Sequence, residues 1–246
     1  MFLKNRIDDF EREICGILAN LAHHIHPKIV AQIQARNIEE YGYFKELFAN
    51  KIEVDQYLFD GSACVFPGVR RSVSGEGKKK AYSPEYKAII DDNTFPRHIW
   101  CFLENGKAYS SKNWQNLGFG EFELAHIFTH KKTEVGFERP FFSKIQDELS
   151  PCGEFSCACN VVLLPKGTVR PTDNSKPTKG AFYKRYMDLY GEHPLNGRTD
   201  LNEKLVPEWY DDLNWNEPVL PIGWEEKIKN LLKYRTRRIT DLMERF

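Results

Sequence analysis

The stretch ELAHIFTHK, Glu123 to Lys131, is a short strand-like run that carries His126 at its tip, with Ile127 and Phe128 behind it and His130 four residues on. Such a run is either a core strand with a satisfied histidine or a strand end that presents an imidazole as a general base. The residues downstream choose between these readings.

Two further segments stand in order after it. SCACNVVLLP, Ser156 to Pro165, reads as a strand, with Asn160 immediately before the unbroken apolar run Val161–Leu164. The loop KGTVRPTDNSKP then passes through Asp173 and Asn174 into TKGAFYKRYMDLYGE, a helix with Phe182, Tyr186 and Leu189 on one face. Hydrolysis of a phosphodiester needs a base to activate water, a cation to stabilise developing charge, and rigid orientation of both. A hairpin packed on a helix supplies all three. The base sits at the end of the first strand, an amide pins the loop that holds it, and an oxygen ligand before the helix holds the ion.

The residues Ala125–Ile127 (AHI), Asn160–Leu164 (NVVLL) and Thr172–Lys176 (TDNSK) resemble, across residues 118–190, the HNH or ββα-metal nuclease family. The resemblance implies that His126 is the general base and that Asn160 holds the base-bearing loop by backbone hydrogen bonds. It also implies that Asp173 or Asn174 takes the place of the family's last metal ligand, a hard oxygen donor suited to Mg²⁺ or Mn²⁺. The sequence departs from the family twice. The residue before the base, often a metal-binding Asp or His, is Ala125 here; Glu123 lies on the same strand face and is the expected substitute. The connection from His126 to Asn160 is also longer than the usual hairpin and carries an insertion such as ERPFFSKIQDELSPCGE.

The cysteines offer a competing reading. Cys152, Cys157 and Cys159 form C-x4-C-x-C, and His130 or Cys101 would complete a tetrahedral structural Zn²⁺ site. The chain would then be a zinc-stapled module that binds DNA or protein without catalysis. The spacing lacks paired C-x2-C knuckles, which favours buried thiols in a strand. An RNA-directed nuclease is a third reading, because the same chemistry acts on either backbone.

The rest of the chain sets the context. It has 246 residues, 41% hydrophobic and 28% charged, a composition that folds rather than stays disordered. Lys+Arg and Asp+Glu are equal at 35 each, so local clusters and not total charge must mark a nucleic-acid surface. One such cluster is Arg70, Arg71, Lys78, Lys79 and Lys80 in a glycine-containing segment, suited to phosphates; a solvated loop explains it equally well. No run approaches a membrane span, and Asp8, Asp9 and Glu11 precede the first apolar stripe, unlike a signal peptide. A cytoplasmic protein with reduced thiols is expected.

Along the chain, apolar spacing predicts a first helix through Ile7 to Ile25, with His23, His24 and His26 at its end favoured by the helix dipole. Pro27 opens a second helix to about Arg36, and a third covers about Ile38–Ala49. HIWCFLENG, His98–Gly106, reads as a strand, and Trp224–Phe246 as a basic C-terminal helix that would help to hold phosphates. The expected class is α+β: a helical N-terminal region with mixed strands (1–117), an embedded ββα-metal core (118–190) and an extension ending in the C-terminal helix (191–246). The expected function is a divalent-metal-dependent endonuclease of restriction or phage-defence type acting on double-stranded DNA. A homodimer is expected, because cutting a duplex takes two active sites.

Overall fold

The computed structural model describes residues 2–49, 51–52, 62–72, 82–129, 136–144, 151–192 and 198–246. The architecture is α+β. Two long helices open it, α1 (Phe2–Leu21) and α2 (Pro27–Phe48), and a third, α7 (Trp224–Met243), closes it. Between them lie β1 (Val69–Arg71), β2 (Tyr82–Ser83), β3 (Ala88–Asp91), α3 (Thr94–Asn105), α4 (Ser111–Asn116), β4 (Phe122–His126), β5 (Phe142–Lys144), β6 (Val161–Pro165), α5 (Val169–Asn174), α6 (Lys176–Tyr190) and β7 (Thr199–Leu201). The strands form three small sheets: β1-β3-β2, the antiparallel ribbon β4-β6, and the antiparallel pair β5-β7. Among the described residues no helix is long and apolar enough to cross a membrane.

The second and third expected helices are one. Asn37, where the break was expected, is buried in the middle of α2 and its side chain is fully engaged. Its Nδ2 donates to the carbonyls of Ser62 and Cys64, both at 2.9 Å, and its Oδ1 accepts from Arg235 at 2.6 Å. Arg235 also reaches Glu40 and lies over the Phe44 ring. This corrects the expectation that the whole basic face of α7 meets phosphates: Arg235 is fully buried and clamps α7 to α2. The apolar residues of α7 dock as expected, with Ile228, Leu231, Leu232, Ile239 and Leu242 buried.

HIWCFLENG is helix, not strand. It forms most of α3, which buries His98, Ile99, Trp100, Cys101, Phe102 and Leu103 and ends on Gly106 in a left-handed conformation. Six consecutive buried residues, His98–Leu103, leave an unbroken run that looks like that of a strand. The chief core draws on residues distant in sequence, among them Ile29, Trp100, Val161, Tyr186 and Ile239. Gly180 matters to one contact: a Cβ there would lie 2.1 Å from the Leu205 carbonyl oxygen, so α6 meets the 203–205 turn backbone to backbone.

The histidines after α1 do not serve its dipole. His26 caps α2, its Nδ1 accepting from Lys28 N at 3.0 Å, and His24 is wholly enclosed between Phe182 and Trp215. Burial, with the nearby charge of Arg185, pushes His24 down to about 3. His98 is pushed down to about 4 by burial and the Arg238 charge, and its Nδ1 accepts the Tyr109 N–H at 2.8 Å. Both rings are therefore neutral when the chain is folded.

The sign of the pH dependence follows. Both histidines bind a proton less tightly folded than unfolded, so the stability they permit is complete above pH 6.5 and is lost as pH falls from there towards 4. The free energy of urea unfolding should be flat from neutral pH upward and fall below about pH 6.5, by at most about 1.4 kcal/mol per pH unit for each histidine. His98→Gln should flatten part of that slope; an unchanged slope would refute the assignment.

Candidate active site

The ribbon β4-β6 aligns Glu123 with Leu164, Leu124 with Leu163, Ala125 with Val162 and His126 with Val161. Paired residues share a face and successive residues alternate. Glu123 and Ala125 therefore point to one side with Val162 and Leu164, and Leu124 and His126 to the other with Val161 and Leu163. Phe182 of α6 joins Val162 and Leu164, together with Leu18 of α1 and Ala22 just after it, in a cluster against the first side.

Asn160 is tied to the chain that follows β4. It is fully buried at the start of β6 and grips the chain just beyond His126 three times. Its Oδ1 accepts the Phe128 N–H at 2.7 Å, its Nδ2 donates to the Phe128 carbonyl at 3.1 Å, and its own carbonyl accepts the Ile127 N–H at 3.1 Å. Phe128 is itself buried, stacked on Tyr183 and edge-on to Tyr186 of α6.

The clamp continues one residue further through side chains that the sequence did not single out. The Thr129 N–H donates to Glu138 at 2.6 Å and its carbonyl accepts from Arg198 at 3.3 Å. Glu138 and Arg198 are both buried and form an ion pair, with the guanidinium 5.0 Å from the Phe128 ring centroid. Part of the insertion before Asn160 thus has a structural task. Glu138 holds the chain beyond His126, Phe141 and Phe142 pack on Tyr183, and β5 pairs with β7.

The His126 ring is partly buried, lies nearly parallel to Phe155 at 5.7 Å, and places Nε2 3.1 Å from the Phe155 carbonyl oxygen. A carbonyl only accepts, so Nε2 carries the proton and in the neutral ring Nδ1 keeps the lone pair. An imidazole fixed in this tautomer is suited to taking a proton from water at Nδ1. Phe155 belongs to the 3-10 turn Pro151–Ser156, which is tied to the segment before β1: Val65 N–H donates to the Ser156 carbonyl, and Ser156 Oγ bonds both backbone groups of Phe66. Arg70 and Arg71 thus sit on a strand whose lead-in is anchored to the turn that holds His126. Arg70 lies over Tyr86 at 3.5 Å, and Arg71 is 4.0 Å from Asp92. Lys78, Lys79 and Lys80 lie outside the described residues.

The expected metal ligands are not gathered around the imidazole. Glu123 is on the opposite face of the ribbon, and Asp173 and Asn174 are exposed at the end of α5. Ser175, not Asp173 or Asn174, caps α6 by accepting the Thr178 N–H at 3.2 Å. A cleft beside Ala125, His126 and Ile127 is lined by Val162, Leu164, Thr172, Lys179, Phe182 and Tyr183. Beside the His126 imidazole its polar groups are two hydroxyls and the Lys179 ammonium, with no carboxylate, which does not fit a divalent cation. Among the described residues no three His, Cys, Asp or Glu side chains form a metal-binding group.

The cysteines read as core thiols. Cys157 and Cys159 are buried with sulfurs 3.2 Å apart, and Cys159 Sγ is 3.1 Å from the Tyr186 hydroxyl. The hydrogen bond with Cys159 and burial push the Cys157 thiol well above its usual range, and burial pushes Cys101 up to about 12. His130 lies outside the described residues, as does the Cys152 side chain. Comparison of the chain with family models, with curated proteins and with solved structures gave no match.

Replacing Asn160 with Ala leaves two buried backbone groups of Phe128 without partners, each costing about 1–3 kcal/mol. The urea midpoint should drop accordingly, and the Phe128 amide should lose hydrogen-exchange protection before the amides of β4. A midpoint within error of the parent would contradict the clamp.

Proposed function

We propose that this chain is an endonuclease that hydrolyses phosphodiester bonds of double-stranded DNA, with His126 as general base. One observation carries the reading: His126 ends a strand, its Nε2 is committed to the Phe155 carbonyl, and the chain behind it is held by the side chain of Asn160. The fastening also satisfies buried backbone groups, which any fold requires. It suits a base because proton transfer depends on placing one nitrogen within hydrogen-bond reach of a water.

In this reading the Nδ1 lone pair removes a proton from the attacking water, and Asn160 acts as a positioning residue. Arg70 and Arg71 are the phosphate contacts nearest in the fold to the turn that holds the imidazole. The setting is a restriction-type or phage-defence activity, and two chains act together on the two strands. Mg²⁺ and Mn²⁺ are the ions to supply, with Glu123, Asp173 and Asn174 as their candidate ligands. No step is assigned to a metal, because the cleft beside Ala125 does not suit one.

The test is plasmid and RNA cleavage by the purified chain in Mg²⁺, in Mn²⁺ and in chelator. His126→Ala should lower duplex cutting by about 10²–10⁴-fold while leaving the circular dichroism spectrum and DNA affinity nearly unchanged. Full cutting by that variant would exclude His126 as the base. Asp173→Ala and Asn174→Ala should raise the metal concentration needed for half-maximal rate; if neither does, the ion is held elsewhere.

A further inference from the structure

Helix α1 carries an apolar stripe that the body of the protein leaves largely bare. Ile7, Phe10, Ile14, Ile17 and Leu21 follow one another at intervals of three and four residues. That alternation is the 3.5-residue repeat by which one helix packs along another. The helix docks on its own body through a different arc, Cys15, Leu18, Ala19 and Ala22, all buried. The stripe beside it is exposed: 57% at Ile7, 59% at Phe10, 57% at Ile17 and 42% at Leu21.

The size of the stripe matters. Four large side chains at these exposures present roughly 400 Å² of apolar surface. Scattered surface hydrophobics do not align in this way. A standard interface buries about 800 Å² per partner, a little over half of it non-polar. The stripe supplies about that apolar share.

We propose that α1 is a dimerisation helix, and that two copies of the chain pair in parallel along this stripe about a two-fold axis. The repeat calls for a helix as partner, and a two-fold lets the stripe meet itself position by position. Charge selects the parallel direction. Arg6 borders one edge of the stripe and Glu11 the other. In a parallel pair a residue at the first edge approaches the position five further on in the partner, so Arg6 meets the partner subunit's Glu11. An antiparallel pair covering the whole stripe would instead set Glu11 against Glu11 and Glu13 against Glu13. Glu11 is already oriented at this edge, because it accepts a hydrogen bond from Ser175 at 3.1 Å.

A lipid surface is the other common occupant of an apolar helix face, and the flanking charges oppose it. Asp8, Asp9, Glu11 and Glu13 outnumber Arg6 and Arg12 around the stripe, so an anionic bilayer would repel it. The dimer stands independently of the nuclease reading, although it would bring two His126 centres into one particle.

The test is the mass of the full chain in solution. Sedimentation equilibrium at micromolar concentration should give twice the 28.8 kDa of one chain. Phe10→Glu with Ile17→Glu should raise the dimer dissociation constant at least about 100-fold with an unchanged circular dichroism spectrum, since both side chains are exposed. Ile17→Cys should join two copies by a disulfide under mild oxidation, because that position faces itself only when the helices run parallel. A monomeric parent chain, a dimer indifferent to the double substitution, or no crosslink from Ile17→Cys would each overturn the proposal. So would a monomer whose binding to phosphatidylcholine–phosphatidylserine vesicles is lost in the double variant.

Discussion

The hydrogen bonds between the Asn160 amide and the Phe128 backbone are the constraint around which the candidate site is built. A strand that leaves its partner must find new acceptors and donors for every enclosed N–H and C=O. β4 leaves β6 just after His126, and the next groups are met by side chains: Asn160 at Phe128, Glu138 and Arg198 at Thr129. Three residues far apart in sequence thus fix one short length of chain. The imidazole at its start inherits that rigidity, and its tautomer is set by the Phe155 carbonyl.

The same device recurs away from the site. Arg235 is buried against Asn37 and Glu40, as Arg198 is against Glu138. Removing a guanidinium from water is costly, and an ion pair restores that cost only with good geometry and further hydrogen bonds. Both pairs meet the condition by adding an amide or backbone partner. Each ties a late segment of the chain to an early one: α7 to α2, and the start of the β7 region to the loop beyond His126. A net charge of zero conceals this, because the charges that organise the interior are a small and matched part of the total.

Legibility followed periodicity. The stripes of α1, α6 and α7 could be read because apolar residues recur there at intervals of three and four. α3 could not, because its six consecutive buried residues, His98–Leu103, read like a strand. Asn37 suggested a break since Asn is a poor helix former, yet the distant carbonyls of Ser62 and Cys64 reward it for staying in α2. At the site, the pairing of His126 with an Asn160-held loop was legible because both contributions come from side chains in a recognisable order. Phe155 was not, since what it offers is a carbonyl, which every residue has.

The sequence by itself determined the α+β class, the helices α1, α6 and α7 and the two strand ends beside His126 and Asn160, because those follow from local periodicity and residue chemistry. Tertiary structure alone decided which face of the ribbon each side chain takes, which carboxylates stay away from the imidazole, and which arginines are sealed inside. Those outcomes depend on residues far apart in the chain coming into register. Desolvation and close packing act only once the elements have met, so no local pattern encodes them.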